Sequence, residues 1–223
     1  MHLDFSIILK YLPYLLQGAG LTIELAVLGI AFGILIGLVA ALLKISQTPL
    51  RFIAHFYIWL IRGTPLLVQL FLIYFGLPQL GITLSAFASS VLGLGINSGA
   101  YLAEVFRGGI EAIPKGQTEA SSSLGMGKFL TLRRIIFPQA LRIALPSLGN
   151  QFIISLKDSS LCSVITMSEL LQTSQRFASV TFASMEFYTA AAVFYLMMTT
   201  VLSVALRSLE WRLSKENRTR GCY

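Results

Sequence analysis

An acidic and a basic residue stand side by side in an otherwise apolar stretch of the chain. Lys157 and Asp158 follow a run of uncharged residues and precede the sequence SSLCSVI. Adjacent residues on a helix do not face each other, so these two side chains cannot form a simple helical ion pair. Each therefore needs a partner elsewhere, which is a neighbouring helix, a water-filled cavity or a ligand. A zwitterionic ligand such as a free amino acid offers both charges, with its carboxylate at Lys157 and its ammonium at Asp158.

Uncharged polar residues accompany this pair. Asn97 and Ser98 lie among glycines in LGLGINSG (92–99), and Gln151 precedes Asp158 by seven residues, which places both on one helix face. With the hydroxyl of Ser159, these groups predict neutral hydrogen bonds to the same ligand. An amide at position 151 argues against a strictly cationic substrate, because it adds no carboxylate. The alternative is that the amides, and the charged pair too, only bond neighbouring helices.

Other kinds of chemistry have no matching pattern in the sequence. The segment most like a nucleotide-binding P-loop is SSLGMGKF (122–129), which has Ser122 in place of the first glycine and Phe129 after Lys128. No nucleophile–base pair, metal cluster or redox motif is visible either. We expect no catalytic residue, metal or cofactor in this chain, so that any energy source must belong to a partner.

The composition is that of an integral membrane protein. Hydrophobic residues make up 55% of the 223 residues and charged residues 12%, against about 25% charged in a soluble domain. A spanning helix needs about 20 mostly apolar residues. We therefore predict an all-α fold with a single domain over 1–223, and a short interfacial helix over 1–17. Five spans are predicted, at about 20–43, 57–77, 86–106, 143–162 and 187–207.

The distribution of basic residues orients these spans. All but three of the 17 lysines and arginines (Lys10, Lys157 and Arg176) fall in segments that this topology places on one side. Such segments are typically cytoplasmic, so we predict that the N-terminus is outside and the C-terminus and residues 107–142 are cytoplasmic. The net charge of +7 is then a topology signal and gives no reason to expect a nucleic-acid partner.

Glycine recurs every fourth residue in the first span, at Gly29, Gly33 and Gly37. This spacing lines one helix face with small residues and lets a second helix approach closely. The second helix belongs either to this chain or to another subunit.

The insert at 107–142 has the pattern of a short helix. Thr118 is a suitable N-cap for a helix that begins at Glu119, and Gly125 is a suitable end. The segment LTLRRIIF is amphipathic, and we expect Pro138 to break it before the next span. The run ASSS would let another surface come close, although a plain connector fits the composition as well.

The insert also resembles the EAA loop of the permease subunits of ABC importers. The family pattern is E-A-A, three residues, G, nine residues, I, one residue and L-P. This chain departs from it at the second Ala and at the Leu before Pro. The residues that match or replace the pattern are Glu119, Ala120, Ser121, Gly125, Ile135 and Pro138.

Three further blocks resemble the polar amino-acid subfamily of these permeases. They are FYIWLIRGTPLLVQLFLIYFGLP (56–78), INSGAYLAEVFRGGIEAIPKGQTEA (96–120) and LPSLGNQFIISLKDSSL (145–161). The last block carries the Lys157–Asp158 pair, which the resemblance places on the substrate pathway.

The resemblance implies a multi-pass permease of the bacterial cytoplasmic (inner) membrane, surrounded by lipid, that moves polar amino acids by alternating access. The insert would be a coupling helix that docks on a dimer of separate ATPase subunits, which bind the ATP and Mg. A second permease subunit, identical or homologous, would complete the pathway, and an external binding protein would deliver the amino acid.

Two rival functions predict other features. A secondary transporter driven by ions usually shows inverted repeats, and none is visible in this sequence. A membrane enzyme would show a catalytic constellation. Retention of an ATPase by the chain would argue against the first rival, and ATP-independent turnover of a candidate substrate would favour the second.

Overall fold

The computed structural model describes residues 4–46 and 48–220, with the side chains of these residues except at 210 and 212–220. Within that part every regular element is helical, which confirms the predicted all-α fold. The α-helices are α1 (Ser6–Ile45), α2 (Arg51–Arg62), α3 (Leu66–Phe71), α4 (Ala86–Glu111), α5 (Lys115–Ser123), α6 (Lys128–Thr131), α7 (Phe137–Asp158), α8 (Leu170–Thr181) and α9 (Ser184–Arg220). Two π-helical segments (Leu72–Gly76, Leu132–Ile136) and two 3₁₀ helices (Leu77–Leu80, Ser159–Ile165) extend them.

The first helix is longer than predicted. The sequence predicted an interfacial helix over 1–17 and a separate span, but α1 is continuous over 40 residues and contains Pro13. Residues 1–3 of the predicted interfacial helix lie outside the described residues. Tertiary packing outweighs the free-energy cost of the internal proline. The ring centroid of Tyr11 lies 4.5 Å from that of Phe177 and 5.5 Å from that of Phe187. These contacts hold the first turns of α1 against α8 and α9.

The glycines of α1 pack against α4 of the same chain, which decides between the two partners that their spacing left open. A Cβ built on Gly33 would lie 2.9 Å from the Cβ of Ser98, and one built on Gly37 would lie 2.8 Å from that of Leu102. Such distances are too short for real Cβ atoms, so the close approach requires glycine. We call this contact of α1 with α4 the glycine seam.

The predicted second span is broken. In place of one helix over 57–77, the chain forms α2 and the helical stretch Leu66–Leu80, which begins with α3 and is bent by 104° relative to α2. Pro65 explains the break, because a proline disfavours helical geometry in the residue before it and is itself extended here, with ψ at 139°. The side chain of Gln69 serves the carbonyls that the break leaves free: its Nε2 donates to the oxygens of Ile61 (2.9 Å) and Thr64 (3.1 Å).

Pro138 does not end a helix, contrary to the prediction. The chain is helical from α6 through the π segment Leu132–Ile136 into α7, and Pro138 stands near the start of α7. A proline clashes with the carbonyl four residues earlier and offers no N–H group. The π segment directly before it widens the helix there, which lets the helical path continue.

The helix of the insert begins earlier than predicted. Its first residue is Lys115, directly after the extended Pro114, so Thr118 is inside α5 and is not its N-cap. Its end agrees with the prediction. Gly125 has a φ of +76°, and the N–H of Met126 donates to the carbonyl of Ser121 at 3.0 Å, as in a glycine-terminated helix.

Helix α8 is fastened by a buried acid that the sequence reading did not single out. Glu169 caps α8 by accepting hydrogen bonds from the N–H groups of Leu171 (2.9 Å) and Gln172 (2.8 Å). It also accepts from the hydroxyls of Thr22 on α1 (3.3 Å) and Tyr195 on α9 (2.7 Å). One fully buried carboxyl group therefore joins three helices.

Among the described residues, three helical stretches are long and apolar enough to cross a membrane, namely Ser6–Ile45, Ala86–Glu111 and Ser184–Leu209. The bent pair Arg51–Arg62 and Leu66–Leu80 passes the same test when it is taken together. The predicted span at 143–162 lies in α7 and the 3₁₀ helix after it, which is too polar to pass. The count of five spans therefore stays a prediction.

Candidate functional site

A cavity of about 510 Å³ opens where the break between α2 and α3 meets α4 and α7. Cavities of this size commonly hold small ligands. The broken helix contributes an arginine and a backbone turn, α4 an amide and a phenol, and α7 an amide and a carboxyl group. The lining residues are Arg62, Gly63, Thr64, Pro65, Leu66, Asn97, Tyr101, Gln151, Ile154 and Asp158.

Three of the residues predicted for the substrate come together in this cavity, from two helices. Asn97 is on α4, and Gln151 and Asp158 are on α7. Gln151 and Asp158 share a face of α7, as their seven-residue spacing predicted. Asp158 forms no salt bridge within the described part of the chain, so its carboxylate is available to a ligand.

The other three predicted residues lie elsewhere. Ser98 is buried in the glycine seam, opposite Gly33. Ser159 is fully buried, and its hydroxyl donates to the carbonyl of Leu156 at 2.8 Å. Lys157 is exposed and is not among the residues that line the cavity. Their role at the substrate stays a prediction, and this chain alone does not place them at the cavity.

The cationic group in the cavity wall is Arg62, which the sequence analysis counted among the basic residues that orient the spans and did not assign to the substrate. It ends α2 at the helix break, and its guanidinium lies 5.3 Å from the ring centroid of Tyr101, within the range of a cation–π contact. A signal was present in the sequence, because RGTP joins a charge to a proline inside an apolar stretch. Helix breaks beside charged groups are typical of substrate sites in membrane transporters.

Asn97 is held in place by a residue that the sequence reading also missed. Its Nδ2 donates to Oε1 of Gln69 at 3.1 Å, while the amide nitrogen of Gln69 binds the carbonyls at the helix break. Gln69 is 7% exposed and thus couples the break to the amide in the cavity wall. Asn97 thus makes the interhelical hydrogen bond of the alternative interpretation and also lines the cavity, while its hydrogen bond to a ligand stays a prediction.

A second cavity of about 480 Å³ adjoins the first. Arg62, Tyr101 and Gln151 line both cavities and so stand where the two meet, and we call these three residues the partition. The second cavity extends along α4 and α7 towards the insert, and its further lining residues are Glu104, Val105, Pro146, Ser147 and Asn150. Glu104 is paired with Lys44 and Arg107, so its charge is compensated.

The residues that match the EAA pattern divide into an exposed and a packed group. Glu119, Ala120, Gly125 and Pro138 are exposed. Ser121 is buried, with its hydroxyl bonded to the carbonyl of Gln117 at 2.7 Å, and Ile135 packs against the apolar cluster of Ile113, Ile136 and Ala140. The insert thus has an apolar attachment to the helix ends and a free outer surface.

Two exposed apolar side chains flank that outer surface. Leu124 is 82% exposed and Phe129 is 74% exposed. Exposed side chains of this size next to small residues are typical of an interaction surface. For metals, the described residues contain no cluster of three or more His, Cys, Asp or Glu that could hold an ion.

Comparison with known proteins gives consistent matches along the chain. The family model described as binding-protein-dependent transport system inner membrane component matches residues 29–215. The glutamine transport system permease protein GlnP of Escherichia coli (strain K12) is 43% identical over 216 residues, which cover 96% of this chain and 99% of that protein. The L-cystine transport system permease protein TcyB of Bacillus subtilis (strain 168) is 39% identical, with 92% and 89% covered.

Two solved structures are similar as well. The crystal structure of an amino acid ABC transporter with histidines is 44% identical, has a TM-score of 0.90, and the match covers 95% of this chain and 100% of that one. An inward-facing form of the MetNI methionine ABC transporter has a TM-score of 0.79 at 17% identity, with 91% and 97% covered. At that identity the second likeness shows the fold alone.

Proposed function

Since the chain belongs to the family of binding-protein-dependent transport system inner membrane components, we propose that it is the membrane-spanning subunit of an ATP-driven importer of polar amino acids. The family was predicted from the insert motif and three sequence blocks, and that prediction is confirmed. The observation that supports the substrate class is the first cavity, whose wall combines one guanidinium, one carboxylate and two amides.

The cavity suits both charges of a free amino acid. Arg62 binds the carboxylate of the substrate, since a guanidinium presents paired N–H donors that match a carboxylate. Asp158 binds the ammonium group. This assignment differs from the sequence prediction only in the cation, because Lys157 is exposed and lies outside the cavity wall.

The two amides bind the substrate side chain. Asn97 and Gln151 can donate and accept hydrogen bonds, and neither adds a charge to the cavity. The side chain that fits best is therefore polar and uncharged. The similarity to a glutamine permease at 43% identity supports this choice.

The topology follows from counting the bent pair as one span. Together with α7 and its 3₁₀ extension, and with the three long apolar helices, this gives five spans in the bacterial inner membrane. The N-terminus is outside, and the insert and C-terminus are cytoplasmic, as the basic residues predict. A second permease subunit, identical or homologous, completes the pathway, and an external binding protein supplies the amino acid.

Energy comes from a dimer of separate ATPase subunits, which bind the ATP and Mg. They dock on the exposed surface of the insert, around Glu119 and Ala120. The continuous helical path from Lys128 to Asp158 spans about 45 Å and carries Gln151 and Asp158. A movement of the insert therefore displaces the carboxylate and the amide at the cavity directly.

A movement of α7 would change the connection between the two cavities, because residues of the partition lie on different helices. Arg62 and Tyr101 are on α2 and α4, whereas Gln151 moves with α7 and the insert. When the ATPases close, α7 shifts relative to α4 and the first cavity is shut off from the second. Hydrolysis reverses the shift and opens the way towards the insert side, which is alternating access.

The test is reconstitution of the chain, purified from its native membranes with its ATPase, and measurement of ATP-dependent amino-acid uptake. Asp158→Asn and Arg62→Gln are each expected to lower uptake by about tenfold or more without loss of the ATPase. Lys157→Gln is expected to retain normal uptake. If Lys157→Gln abolishes uptake and Arg62→Gln does not, Lys157 is the carboxylate ligand. Recovery of the chain without an ATPase, with uptake driven by an ion gradient, would reject the importer.

A further inference from the structure

A third cavity lies at the root of the insert, apart from the pathway described above. Its volume is about 380 Å³, and it is enclosed by the end of α4, by α5 and by the start of the helical path that leads into α7. Its residues are Ile110, Glu111, Ile113, Lys115, Thr118, Ser122, Lys128, Thr131, Leu132 and Ile136.

The rim of this cavity is cationic and rich in hydroxyl groups. Lys115 and Lys128 come from two different helices, and neither forms a salt bridge within the described part of the chain. The nearby acid, Glu111, is already paired with Arg107, so it does not neutralise them. Two ammonium groups around one opening favour an anion.

A buried hydroxyl without a partner points to a ligand in the same place. Thr131 is 4% exposed and lines the cavity, yet its Oγ1 has no hydrogen-bond partner. Buried polar atoms are nearly always hydrogen-bonded, so this hydroxyl is open to a water molecule or to a polar group of a ligand that enters the cavity. The hydroxyl can donate to an anionic oxygen between the two lysines.

The remaining wall is apolar. It consists of four aliphatic side chains, two from the end of α4 and its following turn and two from the π segment: Ile110, Ile113, Leu132 and Ile136. Because α4 is one of the helices long and apolar enough to span a membrane, we place its end near the depth of the lipid headgroups. Basic pockets at such a depth are suited to anionic lipids.

We infer that this cavity binds a phosphate group, and that its occupant is the headgroup of an anionic phospholipid whose glycerol and upper acyl carbons lie on the apolar wall. Lys115 and Lys128 bind the phosphate oxygens as point charges, and Thr131 donates a hydrogen bond. The lipid would thereby fasten α5 to the helix ends. This site does not depend on the substrate cavity.

The experiment measures the phosphatidylglycerol that stays bound to the purified full chain, by native mass spectrometry from mild detergent. Lys115→Gln with Lys128→Gln is expected to lower retention on the order of tenfold, because each basic residue near an anionic surface adds measurably to lipid affinity. The matched control is Arg133→Gln with Arg134→Gln, which removes the same charge from exposed residues of the same insert outside the cavity. It is expected to retain the lipid within about twofold.

A second variant tests the hydroxyl without changing charge. Thr131→Val is expected to weaken retention several-fold while the thermal midpoint without lipid is unchanged or higher, since the orphaned hydroxyl is removed. Equal losses in the lysine and arginine double variants would overturn the site, because they would show only surface attraction. No loss in either would overturn it as well.

Thermal unfolding in phosphatidylcholine nanodiscs distinguishes free phosphate from a lipid headgroup as the source of the phosphate group in the cavity. If inorganic phosphate raises the thermal midpoint of the wild type and phosphatidylglycerol added to the nanodiscs does not, while the lysine double variant responds to neither, the phosphate site stands and the lipid is rejected as its occupant. If the lysine variant loses the ATPase but keeps its lipid, the cavity receives an acidic side chain of that partner and the inference is wrong.

Discussion

Helix α4 has two faces that are packed in opposite ways. Ser98 and Leu102, four residues apart, face the glycines of α1 at distances that leave no room for a Cβ atom. Asn97 and Tyr101, also four residues apart, face the first cavity, where a void of about 510 Å³ remains. One helix therefore separates a region without spare volume from a region built around open space.

The difference also appears in the continuity of the helices. The glycine seam is formed by two uninterrupted helices, α1 and α4. The cavity is lined by the break between α2 and α3 and by α7, which follows one π segment and ends in a 3₁₀ helix. Close packing has few alternative arrangements, whereas broken helices next to a void can shift. We infer that the seam is the fixed frame against which the cavity wall moves.

The largest effect on stability is expected in the seam. In Gly37→Leu the new Cβ would lie 2.8 Å from the Cβ of Leu102 and 2.9 Å from the carbonyl oxygen of Gly99, and further side-chain atoms follow it. We expect a loss of more than about 4 kcal/mol of folding free energy, which is in the range of severe overpacking, and little folded chain. The measurement is the yield of monodisperse protein and its thermal midpoint.

The matched control is Gly20→Leu on the same helix, where an added Cβ meets nothing within 4 Å. It should be tolerated. If both variants fold equally well, the seam is not a close-packed frame and the comparison of the two faces collapses.

The next largest effect on stability is expected at Gln69, whose side chain supports the wall of the first cavity. Gln69→Leu removes the donor that serves the carbonyls of Ile61 and Thr64 and the acceptor of Asn97. Leaving such buried groups unpaired costs about 2 kcal/mol, and the amide of Asn97 loses its orientation. We expect a lower thermal midpoint together with a loss of uptake.

Gln79→Leu is the control, because Gln79 is exposed in the 3₁₀ helix Leu77–Leu80. A Gln69→Leu variant with a lower midpoint but normal uptake would show that the amide only stabilises the break. Uptake that falls while the midpoint stays constant would instead indicate that positioning Asn97 is its whole contribution.

How far the sequence predicted this arrangement depends on the kind of interaction. Glycine spacing predicted the seam, and the seven-residue spacing predicted that Gln151 and Asp158 share a face, because both are local helical periodicities. The insert motif predicted the family. Pro138 was misread, because a π segment that accommodates a proline has no simple pattern in sequence.

The missed residues are those whose role depends on tertiary contacts. Arg62 looked like one more basic residue among many, and only the bend after it turns its side chain to the cavity. Gln69 bonds partners on both sides of the break, and Glu169 joins α1, α8 and α9. Bonds between distant segments leave no periodicity in the chain, so sequence patterns do not reveal the roles of Gln69 and Glu169, whereas the RGTP segment did carry a signal for Arg62.

A smaller effect on the folding free energy is expected at the ion pair that lies at the end of the glycine seam. Lys44 on α1 is paired with Glu104 on α4, and both side chains are 19% exposed. Lys44→Met should lower the folding free energy by about 1 kcal/mol, because Glu104 keeps its second partner, Arg107. Lys10→Met, at an exposed lysine, is the control and should leave the thermal midpoint unchanged. A loss as large as that of Gln69→Leu would place the rigidity of the frame in its ion pairs rather than in close packing.

The smallest effect on stability is expected at Tyr101, which lines both cavities. Tyr101 is 38% exposed, so Tyr101→Leu should change the folding free energy by less than about 1 kcal/mol. It nevertheless removes the ring beneath Arg62 and opens the partition between the two cavities. We expect ATP hydrolysis to continue while amino acid leaks back through the reconstituted assembly, measured as efflux from preloaded vesicles. Tyr188→Leu, on the exposed side of α9, should not leak. A tight Tyr101→Leu variant with normal uptake would mean that the partition lies elsewhere and that the open face of α4 only lines the path.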